Sequence, residues 1–298
     1  MRRLFIIVSA VLIYSCGPAE QKEPEQKAEP AKPVQVESGG VQIAYTSCGE
    51  KDTTLLFVHG WCINKEYWQP QVSYFCPRYK VVCIDLPGFG QSGKNRSDWS
   101  FDNYAADVKA VIDQLQLKNV VLIGHSMCGD LILNVSQKYP GLLMGIVGID
   151  NLHEPATPPT EAQQKRFESY FVKMEKAFDS IINKDMPENL FSPSTPAGIK
   201  NRVMNDVFNS DSVIATKVMR ANITTGAREQ EMMKALPFKL YLVNGDMFPI
   251  KGDSLQKYCA KGYKAEIVKG VGHYPMIEKP DEFNAALQRV VDDMAKSQ

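Results

Sequence analysis

This chain has few histidines, no net charge and no long apolar run, and each of these features argues against a class of function. Four histidines in 298 residues, without metal-ligand spacing, argue against a zinc site, and we expect no cofactor. Equal numbers of acidic and basic side chains leave the net charge at zero, so we expect no nucleic-acid partner. The apolar run at residues 4–14 is too short to span a bilayer comfortably.

The first 35 residues have the composition of a processing segment followed by a tether. Arg2 and Arg3 precede the apolar run, an order that is typical of a signal peptide over residues 1–16. Residues 17–35 are rich in Glu, Lys, Gln, Pro and Ala, which is the composition of a flexible tether.

A cysteine closes the predicted signal peptide. Ile13-Tyr14-Ser15-Cys16 resembles a bacterial lipobox, in which the cysteine is lipidated and becomes the first residue of the mature protein. The resemblance implies an exported lipoprotein. Acyl chains on Cys16 would anchor it to the periplasmic or outer cell-surface side of a membrane. An unmodified secretory signal or an uncleaved anchor is the alternative.

Short apolar runs alternate with helical patterns through the rest of the chain. The predicted strands are 41–46, 53–58, 80–84, 120–124, 145–150, 238–244 and 265–268. The predicted helices of the core are 66–76, 102–115, 128–139 and 280–295. This alternation predicts an α/β fold with a mostly parallel central sheet, covered by helices on both faces.

The segment Gly124-His125-Ser126-Met127-Cys128-Gly129 follows one predicted strand directly and opens a helical pattern. A serine at such a strand-to-helix turn has a strained backbone, and its hydroxyl stands clear of the sheet edge. Cys128 occupies the position where the G-x-S-x-G pattern has its second glycine. Because cysteine is small and Gly129 follows, the turn remains sterically possible. We therefore predict that Ser126 is a nucleophile.

A serine hydroxyl needs a neighbouring base, and His273 is the candidate. It lies in Gly270-Val271-Gly272-His273-Tyr274-Pro275, after the last predicted strand. The glycines of this segment let the loop curl back over the sheet edge toward Ser126. We expect the other three histidines, His59, His125 and His153, to be core or surface residues.

Four segments together resemble the α/β-hydrolase superfamily over about residues 36–297. They are His59-Gly60-Trp61, Asp85-Leu86-Pro87-Gly88-Phe89-Gly90-Gln91-Ser92, Gly124-His125-Ser126-Met127 and Gly272-His273-Tyr274-Pro275. The resemblance implies a serine hydrolase with an oxyanion hole made by the backbone N–H groups of Trp61 and Met127. It gives Asp85 an architectural role only. Related dehalogenases and epoxide hydrolases have aspartate at the elbow, so Ser126 favours an ester, a thioester or a similar acyl substrate. Among these we expect a small or medium acyl ester.

Two aspartates are candidates for the acid of the expected Ser-His-Asp triad. By resemblance it stands three residues past a glycine after the seventh strand, where this chain has Phe248. Asp246 lies two residues earlier, and we prefer it. Asp150, at the end of the preceding strand, is the second choice, because some members of the superfamily place their acid there.

Residues 153–234 separate two predicted core segments, 36–152 and 235–298, and carry helical patterns. By resemblance they form a helical cap that shapes an acyl pocket and shields it from water. We expect a monomer whose partners are a small-molecule acyl substrate and a membrane surface. A non-catalytic binding lipoprotein of the same fold is the alternative, suggested by Cys128 and the displaced acid.

Six further cysteines leave disulfide pairing open. In an oxidising compartment an even number favours disulfides, but sequence alone does not assign the pairs. Cys62 and Cys128 lie next to the proposed oxyanion donors, where we expect close packing rather than a disulfide or redox control. The six are Cys48, Cys62, Cys76, Cys83, Cys128 and Cys259.

Overall fold

A computed structural model describes residues 34–297, in which eight strands form one sheet. The predicted signal peptide, the lipobox cysteine Cys16 and nearly all of the predicted tether lie outside the described residues. The strands are β1 Val34–Ser38, β2 Val41–Cys48, β3 Thr54–Val58, β4 Lys80–Ile84, β5 Val120–His125, β6 Gly145–Ile149, β7 Leu240–Gly245 and β8 Tyr263–Val268.

Helices fill most of the connections between the strands. They are α1 Gln69–Phe75, α2 Phe101–Gln114, α3 Cys128–Lys138, α4 Glu161–Lys176, α5 Phe178–Leu190, α6 Ala197–Phe208, α7 Ser212–Gly226, α8 Glu229–Lys234, α9 Gly252–Tyr258, α10 Pro275–Glu278 and α11 Pro280–Lys296. No helix within residues 34–297 combines the length and the apolar character that a bilayer crossing requires.

The strand order in space is β1-β2-β4-β3-β5-β6-β7-β8. β2 pairs antiparallel with β1 and β4, and every pair from β4 across to β8 is parallel. The mostly parallel sheet predicted from alternating strands and helices is therefore confirmed. Parallel strands place their carboxyl ends at one edge of the sheet, and this edge is where reactive groups gather in open α/β sheets.

The central strands lie in the middle of the sheet because their sequences are continuous apolar runs. Every residue of β3, β5, β6 and β7 is buried, as a sheet that is covered on both faces requires. The helices pack in two sets. In one set α2 packs on α3, and α3 contacts β5 and β6; in the other, α11 packs on β7, β8 and α1.

Two element boundaries differ from the prediction for physical reasons. The predicted helix 66–76 is a 3₁₀ turn, Lys65–Trp68, followed by α1, since Pro70 in the first turn of α1 has no N–H to continue an earlier helix. The sheet also gains an edge strand, because β1 begins at Val34, inside the segment assigned to the tether. It forms a hairpin with β2 through Gly39 and Gly40, which both have positive φ.

Helices α4–α8 lie between β6 and β7, within the predicted cap segment, residues 153–234. Hydrogen bonds join this segment to the loop that follows β3. The Trp61 indole N–H donates to the Ala215 carbonyl at 2.8 Å, and the Tyr67 hydroxyl donates to the Asp206 carboxylate at 2.7 Å. The Phe178 ring packs on Trp61 with 6.0 Å between centroids. The cap segment is therefore fastened beside the carboxyl end of β3.

One of the possible disulfides is present. Cys48, at the end of β2, is bonded to Cys76, which follows α1, with 5.7 Å between their Cα atoms. The four other cysteines of the described residues are free and buried: Cys62, Cys83, Cys128 and Cys259.

Candidate active site

Ser126 stands at the turn between β5 and α3. Its backbone φ of 56° is a left-handed conformation, which costs a non-glycine residue about 1–2 kcal/mol. Ser126 N donates to the Ile149 carbonyl at 2.9 Å. The Asn151 amide donates to the carbonyls of Gly124 and Ser126 at 2.8 and 3.0 Å. These bonds hold the strained residue in place at the carboxyl end of β5.

Small residues allow the backbones to pass closely around this turn. A Cβ on Gly124 would lie 2.6 Å from the Cys128 carbonyl oxygen. A Cβ on Gly60 would lie 2.5 Å from Nδ1 of His125, so neither glycine is replaceable without movement. Cys128 is fully buried, and its Sγ donates to the His59 carbonyl at 3.0 Å. The turn thus accommodates cysteine in place of the second glycine.

His273 lies on the loop between β8 and α10 and makes two short side-chain contacts. Its Nε2 is 2.7 Å from Oγ of Ser126, and its Nδ1 is 2.6 Å from Oδ2 of Asp150. Because Asp150 is ionised and only accepts, Nδ1 donates to it, which leaves Nε2 free to accept the Ser126 proton. The three side chains form a continuous Ser–His–Asp relay, although their separations in sequence are large.

The structure corrects the preference for Asp246. Its Oδ1 accepts hydrogen bonds from Gly270 N at 2.8 Å and Val271 N at 3.5 Å, so it fastens the loop rather than the imidazole. Asp150, the second choice, contacts His273 instead. It follows the last residue of β6 with a φ of 47°, and its N–H donates to the Val243 carbonyl of β7. That left-handed turn at the strand end directs the carboxylate toward the histidine loop.

The Asp150 carboxylate is buried but well partnered. Burial by itself raises its pKa, but the interactions with His153 and His273 and the Gly245 N–H outweigh burial and hold the pKa well below its usual range. Gly245 N donates to Oδ1 at 2.8 Å, whereas Nε2 of His153 lies 3.7 Å away, beyond hydrogen-bond distance. The carboxylate therefore stays charged at neutral pH and keeps accepting the hydrogen bond from Nδ1 of His273.

The two predicted oxyanion donors follow neighbouring strands. Val58 of β3 is paired with Gly124 of β5. Trp61 and Met127 each lie three residues beyond this pair, at the same edge of the sheet. Within residues 34–297 neither backbone N–H has a hydrogen-bond acceptor. Met127 also immediately precedes α3, whose dipole places partial positive charge at this end.

Two of the other histidines are buried and neutral. His59 bonds through Nδ1 to the Gly60 carbonyl at 2.7 Å and accepts from Leu86 N at 3.0 Å through Nε2. His125 bonds through Nε2 to the His273 carbonyl at 2.8 Å. Burial lowers the pKa of both, and burial together with the charge of His273 lowers that of His125 to about 3. Both residues support the surrounding loops, as expected for core histidines.

Asp85 has the architectural role that the resemblance implies. It is fully buried, and it accepts hydrogen bonds from Lys65 N at 2.7 Å, from Lys65 Nζ at 2.9 Å and from Gln91 N at 2.9 Å. A Cβ on Gly90 would lie 2.3 Å from its carboxyl carbon. The carboxylate thus ties the turn after β4 to the segment that follows Trp61.

The cysteines beside the oxyanion donors are not bonded to each other. Burial raises the pKa of both the Cys62 and the Cys128 thiol far above neutrality. The two thiols are protonated and shielded from solvent, and such cysteines are chemically inert. Their placement fits the expected packing role.

Three residues near the site were not predicted from the sequence to belong to it. Asn151 supports the Ser126 turn, His153 stands beside Asp150, and Glu278 accepts the backbone N–H groups on either side of His273 at 3.0 and 3.1 Å. The only clue to Asn151 and His153 was their position just after Asp150 at the end of a predicted strand. Glu278 lies in a short helix, and no motif marks it.

Comparison with known proteins points to one family. The α/β hydrolase fold family matches residues 53–186. A segment of 91 residues is 38% identical to the non-heme chloroperoxidase of Burkholderia pyrrocinia and covers 30% of this chain and 33% of that protein. A segment of 103 residues is 33% identical to the bifunctional esterase/perhydrolase of Acinetobacter calcoaceticus. It covers 34% of this chain and 37% of that protein. The matched segments thus span about a third of these relatives.

Solved structures agree over nearly the whole described chain. An esterase from Thermogutta terrifontis has a TM-score of 0.74 at 19% identity, covering 89% of this chain and 99% of that one. A bromoperoxidase from Bacillus anthracis has a TM-score of 0.71 at 18% identity, covering 88% of this chain and 100% of that one. At such identities the likeness shows the fold alone. Taken together with the family match over residues 53–186, it shows that this chain has the α/β hydrolase fold.

Proposed function

We propose that the protein is a serine hydrolase that cleaves small or medium acyl esters through an acyl-enzyme intermediate on Ser126. The observation that carries the proposal is the relay of short contacts through His273, 2.7 Å to Ser126 and 2.6 Å to Asp150. Distances in this range are those that a general base needs in order to take the proton of a nucleophile.

The reaction has two halves that use the same three side chains. Oγ of Ser126 attacks the ester carbonyl carbon while its proton passes to Nε2 of His273. The bond from carbon to the leaving alcohol then breaks, and Nε2 returns the proton to that alcohol. Water attacks the acyl-enzyme by the same route and releases the acid. Asp150 keeps the Nδ1 proton in place and stabilises the imidazolium in both halves.

The negative charge of each tetrahedral intermediate needs hydrogen-bond donors. The N–H groups of Trp61 and Met127 serve this purpose in the proposal. Met127 follows Ser126 directly, Trp61 follows Gly60, where a Cβ would lie 3.0 Å from Ser126 Cβ, and neither N–H has an acceptor within the described chain. One such donor contributes about 3 kcal/mol to transition-state stabilisation.

The apolar surroundings favour an uncharged acyl group. Trp61 and Met127 are almost fully buried, and Phe178 of the cap segment packs on Trp61. The rival proposal of a non-catalytic binding protein rested on Cys128 and on the displaced acid. Both objections weaken, because Cys128 fits the turn and Asp150 supplies the carboxylate.

Hydrolysis of p-nitrophenyl acetate, butyrate and octanoate tests the proposal. We expect turnover, with a burst of nitrophenol equal to the enzyme present if deacylation is slow. Ser126→Ala should abolish both. Ser73→Ala is the matched control, because Ser73 is exposed and its hydroxyl bonds only to the Gln69 carbonyl, and it should retain full activity. Activity that survives in Ser126→Ala would contradict the proposal.

We also propose that Cys16 anchors the enzyme to a membrane. The support is the lipobox-like sequence and the tether composition of the residues between Cys16 and β1. Expression of the full chain in bacteria fed labelled palmitate tests it. Label on the wild type that is absent from Cys16→Ala supports the anchor, and an unlabelled wild-type protein contradicts it.

A further inference from the structure

The loop that carries His273 is held at three consecutive backbone N–H groups. Gly272 N and Tyr274 N donate to the two carboxylate oxygens of Glu278, at 3.0 and 3.1 Å. His273 N donates to the carbonyl of Leu190 at 2.8 Å. Leu190 is the last residue of α5, in the cap segment. The backbone of His273 is therefore fastened to the cap segment as well as to its own loop.

The segment around Leu190 contacts the same loop through further polar groups. We call residues 190–195, which join α5 to α6, the cap turn. Thr195 Oγ1 donates to Glu278 Oε2 at 2.7 Å and accepts from Ser192 N at 3.0 Å. Ser194 Oγ donates to the Gly270 carbonyl at 3.1 Å. Thr195 is 4% exposed, so its bond to Glu278 is shielded from water.

Gly272 shows how closely the two segments fit. A Cβ at this position would lie 2.6 Å from the Leu190 carbonyl oxygen and 2.9 Å from Ser192 N. A contact this close leaves no room for any side chain, so the glycine is required by the seating of the cap turn. The core holds the opposite side of His273, where its carbonyl accepts from Nε2 of His125 at 2.8 Å.

We propose that the cap turn and Glu278 form a clamp that positions His273, so that Thr195 and Glu278 are positioning residues and catalysis depends on the seating of the cap. The inference rests on the proposed function. Both side-chain bonds of His273 are short, and a displacement of about 1 Å in a reacting group can cost about 10²-fold in rate. Displacement of the cap turn removes the acceptor of His273 N and a donor to Glu278 at the same time.

Thr195→Val removes the hydroxyl at nearly constant volume and so breaks the clamp at one atom. We expect kcat for p-nitrophenyl butyrate to fall about 10–100-fold with KM little changed, because the imidazole rather than the ester pocket is displaced. The rate of labelling by a small fluorophosphonate should fall by the same factor. Thr195→Ser, which restores the hydroxyl, should recover most of the rate. Glu278→Gln supplies a second variant that loses the charge of the shared acceptor, and it should behave like Thr195→Val.

A second readout separates positioning from mere stability. The Nδ1 proton shared with Asp150 should give a low-field proton resonance in the wild type, and Thr195→Val should broaden or shift it. Thr225→Val is the matched control, since Thr225 is a cap threonine whose hydroxyl bonds only to the Ala221 carbonyl. It should change neither the rate nor the resonance.

The outcomes are distinguishable. A wild type that is not labelled at Ser126 defeats the proposed function, and the clamp with it. A wild type that is labelled, together with Thr195→Val and Glu278→Gln variants labelled at the same rate, defeats the clamp alone. Equal losses in Thr195→Val and Thr225→Val, in step with a lower melting temperature, also defeat it, because the effect is then one of stability.

Discussion

Replacing Asp150 by asparagine changes one atom of the relay and tests which carboxylate serves His273. Oδ1 of Asp150 accepts from Gly245 N at 2.8 Å, and an asparagine oxygen would keep that bond. The amide NH₂ then takes the place of Oδ2, where it faces Nδ1 of His273 at 2.6 Å. Two donors cannot share this bond, so the imidazole adopts the tautomer with its proton on Nε2. In that tautomer Nε2 no longer accepts the proton of Ser126.

The expected loss in kcat for Asp150→Asn is about 10⁴-fold, which corresponds to about 5 kcal/mol of transition-state stabilisation. Asp246→Asn is the matched control. Its oxygen would still accept from Gly270 N and Val271 N, so we expect a change of less than about tenfold. Initial rates with p-nitrophenyl butyrate at mildly alkaline pH measure both, and circular dichroism checks that both variants are folded. A large loss in Asp246→Asn with near-normal Asp150→Asn would refute the assignment.

Three further predictions follow from the geometry around the site. Gly60→Ala should lower kcat by about 10²-fold in a folded protein, because its Cβ would lie 2.5 Å from His125 Nδ1 and 3.0 Å from Ser126 Cβ; unchanged kinetics would contradict this. Burial and the charge of the neighbouring His273 lower the pKa of His125 to about 3, so only the unfolded chain takes up this proton below about pH 6.5. His125 should thus contribute about 2 kcal/mol to the fall in the free energy of unfolding in urea between about pH 7.5 and pH 5, and His125→Gln should remove that part of the dependence while the part due to His59 stays; equal slopes in the two proteins would be a refutation. The double variant Cys48→Ser/Cys76→Ser should lose about 3–4 kcal/mol of stability because it opens a loop with a sequence separation of 28, and an unchanged urea midpoint would contradict that estimate.

The sheet and the sharp turn at Ser126 could be predicted from sequence because their signals are local. Continuous apolar runs identify strands that are buried on both faces, and the glycines and Cys128 around Ser126 identify the sharp turn. His273 could be predicted as well, since a glycine-framed loop after the last strand leads back to the sheet edge. Each of these predictions depends on a few adjacent residues.

The contact between Asp150 and His273 and the contacts of the proposed clamp depend on distances that no local pattern encodes. Asp246 and Asp150 follow the neighbouring strands β7 and β6, and the left-handed turn at Asp150 decides which carboxylate faces His273. The contact between Thr195 and Glu278 joins positions 83 residues apart. Neither residue lies in a recognisable motif, so only the folded chain brings them together.

Fluorophosphonate labelling tests the central claim most directly, namely that Ser126 is an activated nucleophile. The protein beginning after Cys16 is treated with the reagent, and the modified peptide is identified by mass spectrometry. The account predicts one adduct per chain on Ser126, no adduct in Ser126→Ala and none in His273→Ala within the same reaction time. A folded wild-type protein that stays unlabelled, or that is labelled at another residue, would contradict it.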